Sequence, residues 1–179
     1  MHGLVTLLPD PFYEQVEAIW DRLEQRCGLN GIRVTPYPHF SWNIAEHYDF
    51  ERLEDLVRQL STDIAPFPAS TAGLGLFTGE NPVVYMVVVR NEALSGLHKQ
   101  LWQTVAGACD DLSLLYAPEV WVPHISLAYE DVDRENLRQA MSELAFETYN
   151  WRFVVDHIAF IRESEGQVGE LKWKIPLGR

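Results

Sequence analysis

Apolar residues recur along the chain with two distinct periods. Val16, Ile19, Trp20 and Leu23 fall at i, i+3, i+4 and i+7, with Glu14, Glu17, Asp21 and Glu24 on the opposite face. That spacing predicts an amphipathic helix over 12–26, ended by Gly28 and Gly31. The same period returns in Phe50, Leu53, Val57 and Leu60 behind a capping Asp49, and in Leu94, Leu97, Leu101 and Val105 behind Asn91. A fourth stripe, Leu137, Met141 and Leu144, follows Asp131 or Asp133. Short carboxylate and amide side chains at these positions can accept the free N–H groups of a first turn. Between the helices lie runs that read as strands: 4–8, 32–35, 39–46, 69–77, 83–90 and 120–130. Residues 78–82 form a turn-rich loop, and a loop at 109–111 leads into 112–116. A closing hairpin is predicted from 151–161 and 168–175, turning at Glu165-Gly166.

Two of these strands carry one phrase. Pro38-His39-Phe40-Ser41-Trp42 and Pro123-His124-Ile125-Ser126-Leu127 both read Pro-His-apolar-Ser-apolar. Successive side chains on a strand point to opposite faces. His39 and Ser41 therefore share one face, and Phe40 and Trp42 the other. His124 and Ser126 oppose Ile125 and Leu127 in the same way. The copies stand close to half a chain apart, in a repeated order of strand, helix, phrase strand, helix, strand. A pseudo-twofold pairing of two lobes would bring two imidazoles and two hydroxyls to a common cleft.

Composition narrows the partners. The chain has 179 residues, 47% of them hydrophobic, enough for a sizeable core. No apolar stretch reaches the roughly 18–20 residues of a membrane span. Met1-His2-Gly3 leads directly into a strand without a basic start, so a cytoplasmic location is expected. Cys27 and Cys109 are too few for a disulfide framework and lack metal-type spacing. A net charge of −12 argues against extended nucleic-acid binding, which needs a basic stripe. It leaves room for a small phosphate ligand or an RNA end.

The doubled phrase, within strand patterns in a chain of this length, resembles the two-histidine (2H) phosphoesterase superfamily. That group includes bacterial 2′-5′ RNA ligase-like proteins and cyclic nucleotide phosphodiesterases. Serine stands here where the family often has threonine, and Trp42 where a small aliphatic residue is more usual. The resemblance implies an α+β fold of two pseudo-symmetric lobes, each an antiparallel sheet with helices on its outer side, enclosing a central cleft. It implies one bilobal domain over 1–179, its lobes drawn roughly from the two halves with terminal elements exchanged. It also implies hydrolysis of 2′,3′-cyclic phosphates on RNA ends or small nucleotides, giving 2′-phosphates. His39 and His124 would be the acid–base pair, with His124 activating water and His39 protonating a 2′ leaving oxygen. Ser41 and Ser126 would bind phosphate. Histidine suits both proton transfers near neutral pH, so no metal or cofactor is expected. The same groups serve the reverse reaction, a 2′-5′ RNA ligase. A nucleotide or RNA-end binding module without turnover is the other alternative, and a monomer is expected.

Further residues bear on this site. Tyr37, in step with His39, and Phe77, at the end of a strand, are candidates for stacking on a base. Trp42 shares parity with Phe40 and is expected in the core. Trp121 and Tyr129 are expected to face away from His124. His47 reads as a surface residue, His98 as a boundary residue and His157 as structural. Arg33, Arg90, Arg152 and Arg162 lie in or beside strands, from which any could meet phosphate or remain in solvent.

Overall fold

The computed structural model describes residues 2–163 and 168–178. Among these residues four α-helices and nine strands follow in the order β1 (His2–Leu7), α1 (Phe12–Cys27), β2 (His39–Tyr48), α2 (Phe50–Thr62), β3 (Phe67–Phe77), β4 (Val83–Val88), α3 (Glu92–Val105), β5 (Cys109–Leu112), β6 (His124–Ala128), α4 (Arg134–Leu144), β7 (Arg152–Val155), β8 (His157–Arg162) and β9 (Glu170–Pro176). The strands form two antiparallel sheets, ordered β5-β2-β1-β8-β9 and β6-β4-β3-β7. This is the α+β class expected from the sequence. No helix among the described residues is long and apolar enough to cross a membrane.

The helices form where the apolar stripes place them. Val16, Ile19, Trp20 and Leu23 are all buried on α1. Gly28 ends it in the left-handed region at φ 71°, which a residue without Cβ adopts freely. Asp49 accepts the Arg52 N–H at the start of α2, and Asn91 accepts that of Leu94 at the start of α3. Asp133 caps α4 in a reciprocal box with Asn136. Asp131 has another task. It accepts the backbone N–H groups of Asn30 and Gly31 at 2.7 and 2.8 Å and ties the end of α1 to the exit of β6.

Several strand boundaries differ from the expectation. Residues 31–34 form a 3₁₀ turn instead of a strand. The phrase strand expected over 120–130 shrinks to β6, because Pro123 cannot donate to a ladder. Residues 109–112 pair with β2 as β5 instead of looping. The run 151–161 divides at Asp156: β7 pairs with β3 in the second sheet, and β8 joins β1 and β9 in the first. The turn predicted at Glu165-Gly166 lies outside the described residues.

One core joins the helices to both sheets. At its centre Trp42 and Trp121 stack at 5.5 Å, both fully buried, as is Trp20. Each such ring hides roughly 150–250 Å² of aromatic surface, on the order of 4–6 kcal/mol before the entropy of ordering is subtracted. A smaller cluster of Val5, Leu7, Ala159 and Ile161 forms from β1 and β8.

Candidate active site

The two phrase strands are brought together along incompletely paired edges. β5 pairs only with the Ala45–Tyr48 end of β2, and β6 is the edge strand of the second sheet. β2 and β6 touch across the gap between the sheets. Trp121, just before β6, donates its indole N–H to the Ser41 carbonyl at 3.1 Å. Trp20, on α1, donates to the Ser126 carbonyl at 3.1 Å. The same indole-to-carbonyl bond thus fixes the serine backbone in both copies.

Strand alternation then sorts the side chains. Phe40, Trp42, Ile125 and Leu127 are buried, whereas His39, Ser41, His124 and Ser126 are half-buried in the wall of one cleft of about 840 Å³. Each histidine bonds through Nδ1 to the carbonyl two residues before it, His39 to Tyr37 at 2.5 Å and His124 to Val122 at 2.7 Å. A carbonyl oxygen only accepts, so Nδ1 carries the proton in both rings. Both Nε2 atoms are left with a lone pair for chemistry.

The surroundings of the two rings differ. His124 is flanked by Phe77 at 4.8 Å, edge to face, and by Tyr85 at 5.1 Å. Phe77 and Tyr85 stack at 4.2 Å. Gly75 makes this possible, since a Cβ there would occupy the space of the Tyr85 ring. On the other side, the Ser41 hydroxyl bonds to Tyr116, whose phenol burial pushes up to about 12. Tyr116 is therefore a protonated phenol at neutral pH. It lies in a short 3₁₀ turn after β5, also lines the cleft, and carries no signal in the sequence that would single it out.

Burial lowers the pKa of both histidines. His39 falls to about 4, mainly through desolvation, opposed by the Tyr37 carbonyl and lowered further by His124. His124 is lowered by burial and partly restored by the Val122 carbonyl. Both imidazoles are neutral at pH 7 in the free protein. An anion placed between them would favour protonation of one.

Other candidate residues divide sharply. Phe77 lines the cleft, but Tyr37 does not: it packs against the Val5, Leu7, Ala159 and Ile161 cluster and contributes its carbonyl to His39. Trp121 and Tyr129, expected to face away from His124, both line the cleft. Regular alternation fails at Pro123 on one side. On the other, β6 ends at Ala128, and Glu130 follows at φ 71°. His98 is not at a boundary. It is fully buried, stacked on Trp121 at 3.8 Å, and reaches the Trp42 carbonyl through Nε2 at 3.1 Å. His157 is buried too, accepting the Leu7 N–H at Nε2 and facing Asp156 through Nδ1. His47 is exposed. With Glu46 and Asp111 it could bring three ligand atoms within 4.8 Å for a metal, but none of these residues lines the cleft.

A family model described as the 2′-5′ RNA ligase superfamily matches residues 5–167. No curated protein sequence matches the chain. Among solved structures, TT0787 of Thermus thermophilus is similar at 20% identity, over 99% of this chain and 98% of that one, with a TM-score of 0.68. LigT of E. coli, complexed with 3′-AMP, is similar at 15% identity over 99% and 98%, with a TM-score of 0.60. Usb1 of Kluyveromyces marxianus, with uridine monophosphate, is similar at 12% identity over 98% and 97%, with a TM-score of 0.52.

Proposed function

Because the chain belongs to the 2′-5′ RNA ligase superfamily, the 2H phosphoesterases, we propose that it hydrolyses 2′,3′-cyclic phosphates to 2′-phosphates by paired-histidine acid–base catalysis. The observation that carries this reading is the matched pair of imidazoles, each held by a carbonyl at Nδ1 and both in the wall of one cleft. LigT and Usb1, whose structures contain nucleoside monophosphates, support a nucleotide as the ligand.

Water attacks phosphorus and gives a proton to Nε2 of His124. His39 enters the step as the imidazolium that the bound anion favours, and as the P–O3′ bond breaks O3′ takes the proton from its Nε2. Bond balance corrects the expectation of a 2′ leaving oxygen, because a 2′-phosphate product requires O3′ to leave. Ser41 and Ser126 donate to the non-bridging oxygens, where charge is held as the bonds exchange. The two imidazoles carry both proton transfers, so the step as written needs no metal. With the 5′-hydroxyl of a second chain in place of water, the same transfers join two ends: its oxygen bonds to phosphorus, O3′ leaves, and a 2′-5′ linkage forms.

The test is incubation with 2′,3′-cyclic AMP, and with a short RNA ending in a 2′,3′-cyclic phosphate, in EDTA, with products separated by chromatography. The expected product carries its phosphate on O2′, and His39→Ala or His124→Ala slows its formation roughly 10²–10⁴-fold. Undiminished turnover in either variant would contradict the assignment. Intact substrate together with a nucleotide-raised melting temperature would make the protein a binding module instead.

A further inference from the structure

Both phrase strands shift register at the same place. On β2, Val5 faces Ser41 and its neighbour Leu4 faces Asn43, so Trp42 is an extra residue in the ladder. On β6, Tyr85 faces Ser126 and its neighbour Val84 faces Ala128, so Leu127 is extra. The fourth residue of the phrase is the bulged one in both copies. Burial records the same event. Exposure alternates up to the extra residue, and then two successive residues are buried, Trp42 with Asn43 and Leu127 with Ala128. A bulge disrupts the ladder locally and re-aims the side chains beside it. Backbone groups that lose ladder partners need others.

The peptide joining each serine to its extra residue meets an indole. Trp121 donates to the Ser41 carbonyl and Trp20 to the Ser126 carbonyl, each at 3.1 Å. The donors are exchanged between the halves. Trp20, on α1, belongs to the first half of the chain and serves the second phrase. Trp121 stands just before the second phrase and serves the first. The two rings are supported differently. Trp20 is held in the core by α1 and is 2% exposed. Trp121 stacks on His98 at 3.8 Å and on Trp42 at 5.5 Å, and Arg90 donates to its carbonyl at 3.0 Å.

A serine hydroxyl needs such a hold. With one heavy atom on Cβ, χ1 is less restricted than in a β-branched residue. The aim of the hydroxyl therefore starts from the direction in which the backbone sends Cβ. Fixing the carbonyl fixes the plane of the following peptide, and with it ψ of the serine. Resting on the phosphate-binding role proposed for Ser41 and Ser126, we infer that Trp20 and Trp121 are positioning residues of a crossed brace. Each indole N–H, donated from one half, locks the bulge behind the other half's serine and aims that hydroxyl at the phosphate. Trp20 acts through Ser126, and Trp121 through Ser41.

The experiment replaces one indole N–H by sulfur, as Trp20→benzothienylalanine or Trp121→benzothienylalanine, which keeps the shape of the ring and removes the donor. Calorimetry then reads 2′-AMP binding. Each exchange should weaken it about 3–10-fold, the size of one lost hydrogen bond. The exchange at Trp121 should have almost no effect in Ser41→Ala and its full effect in Ser126→Ala. The exchange at Trp20 should do the opposite, giving two double-mutant cycles of crossed sign. Rings that serve only the core would weaken binding equally in both backgrounds, and that result would overturn the inference. A second measurement leaves the rings intact. The indole nitrogen NMR signal of Trp20, identified by its loss from the exchanged protein, should move when 2′-AMP is added to the wild-type protein and stay in place in Ser126→Ala. A Trp20 signal that is stationary in both would contradict the brace, as would a wild-type protein that does not bind 2′-AMP. The crossed pattern without turnover of 2′,3′-cyclic AMP would overturn the catalytic reading alone.

Discussion

The two copies of the phrase are alike along the backbone and unlike around the side chains. On β2 and on β6 the histidine bonds the carbonyl two residues earlier, and the serine carbonyl receives an indole N–H. Beyond that shell the likeness ends. His124 sits among the rings of Phe77 and Tyr85, while Ser41 shares its hydroxyl with Tyr116. The repeated residues set the tautomer and the aim of each imidazole. Unrepeated residues set how firmly each group is held. A five-residue phrase can therefore duplicate chemistry without duplicating its surroundings.

If the two halves act as one unit, the double variant His39→Ala/His124→Ala should be only a few-fold slower than either single variant. Grossly non-additive losses mark groups that work together. Single-turnover rates for the three proteins check this, and losses that multiply would separate the halves. Next in size come the serines. In the proposed reaction each would give one hydrogen bond to a charged phosphate, a kind of bond that contributes about 1.5–3 kcal/mol. Ser41→Ala and Ser126→Ala should each slow turnover roughly 10–100-fold.

The asymmetry at Ser41 can be isolated. Tyr116→Phe removes the phenol that bonds Ser41 and should slow turnover a few-fold in the wild-type background. In the Ser41→Ala background it should have almost no further effect, a double-mutant cycle that reads only their coupling. Equal effects in both backgrounds would place Tyr116 outside the Ser41 interaction.

pH provides two further comparisons. Both cleft histidines titrate below 6.5 in the free protein, so the bell of kcat/KM, which needs one ring neutral and the other protonated, should peak on the acid side of pH 6.5. An optimum above pH 7 would contradict the burial argument. Behind the site, burial holds His98 near a pKa of 4, with partial opposition from the Trp42 carbonyl. Its folded value lies below its unfolded one. The stability it confers is therefore full above about pH 6.5 and is lost as pH falls toward 4. That loss is on the order of 3 kcal/mol. Denaturant titrations at pH 7 and 4.5 should show a smaller acid-side loss in His98→Gln.

The legible parts of this molecule are those with a local cause. Alternation put His39, Ser41, His124 and Ser126 opposite Phe40, Trp42, Ile125 and Leu127, and the burial of those four apolar residues follows that division. Asp49 and Asn91 caps could be read because a cap bonds within one turn. The unread parts depend on distant partners. Nothing within 151–161 says that Val155 belongs to one sheet and His157 to the other. Cys109-Asp110-Asp111-Leu112 has no strand composition and is a strand only because the Ala45–Tyr48 end of β2 is there to pair with it. Tyr116 meets Ser41 through that same placement, which no spacing in the sequence encodes.

The most direct test of the paired-imidazole account is nitrogen NMR of His39 and His124, assigned through the single variants and titrated with 2′-AMP. The account predicts a protonated Nδ1 and a bare Nε2 in both rings of the free protein near pH 7, with both Nε2 signals moving on addition of the nucleotide. A proton on Nε2 of either free ring, or a response confined to one histidine, would contradict it.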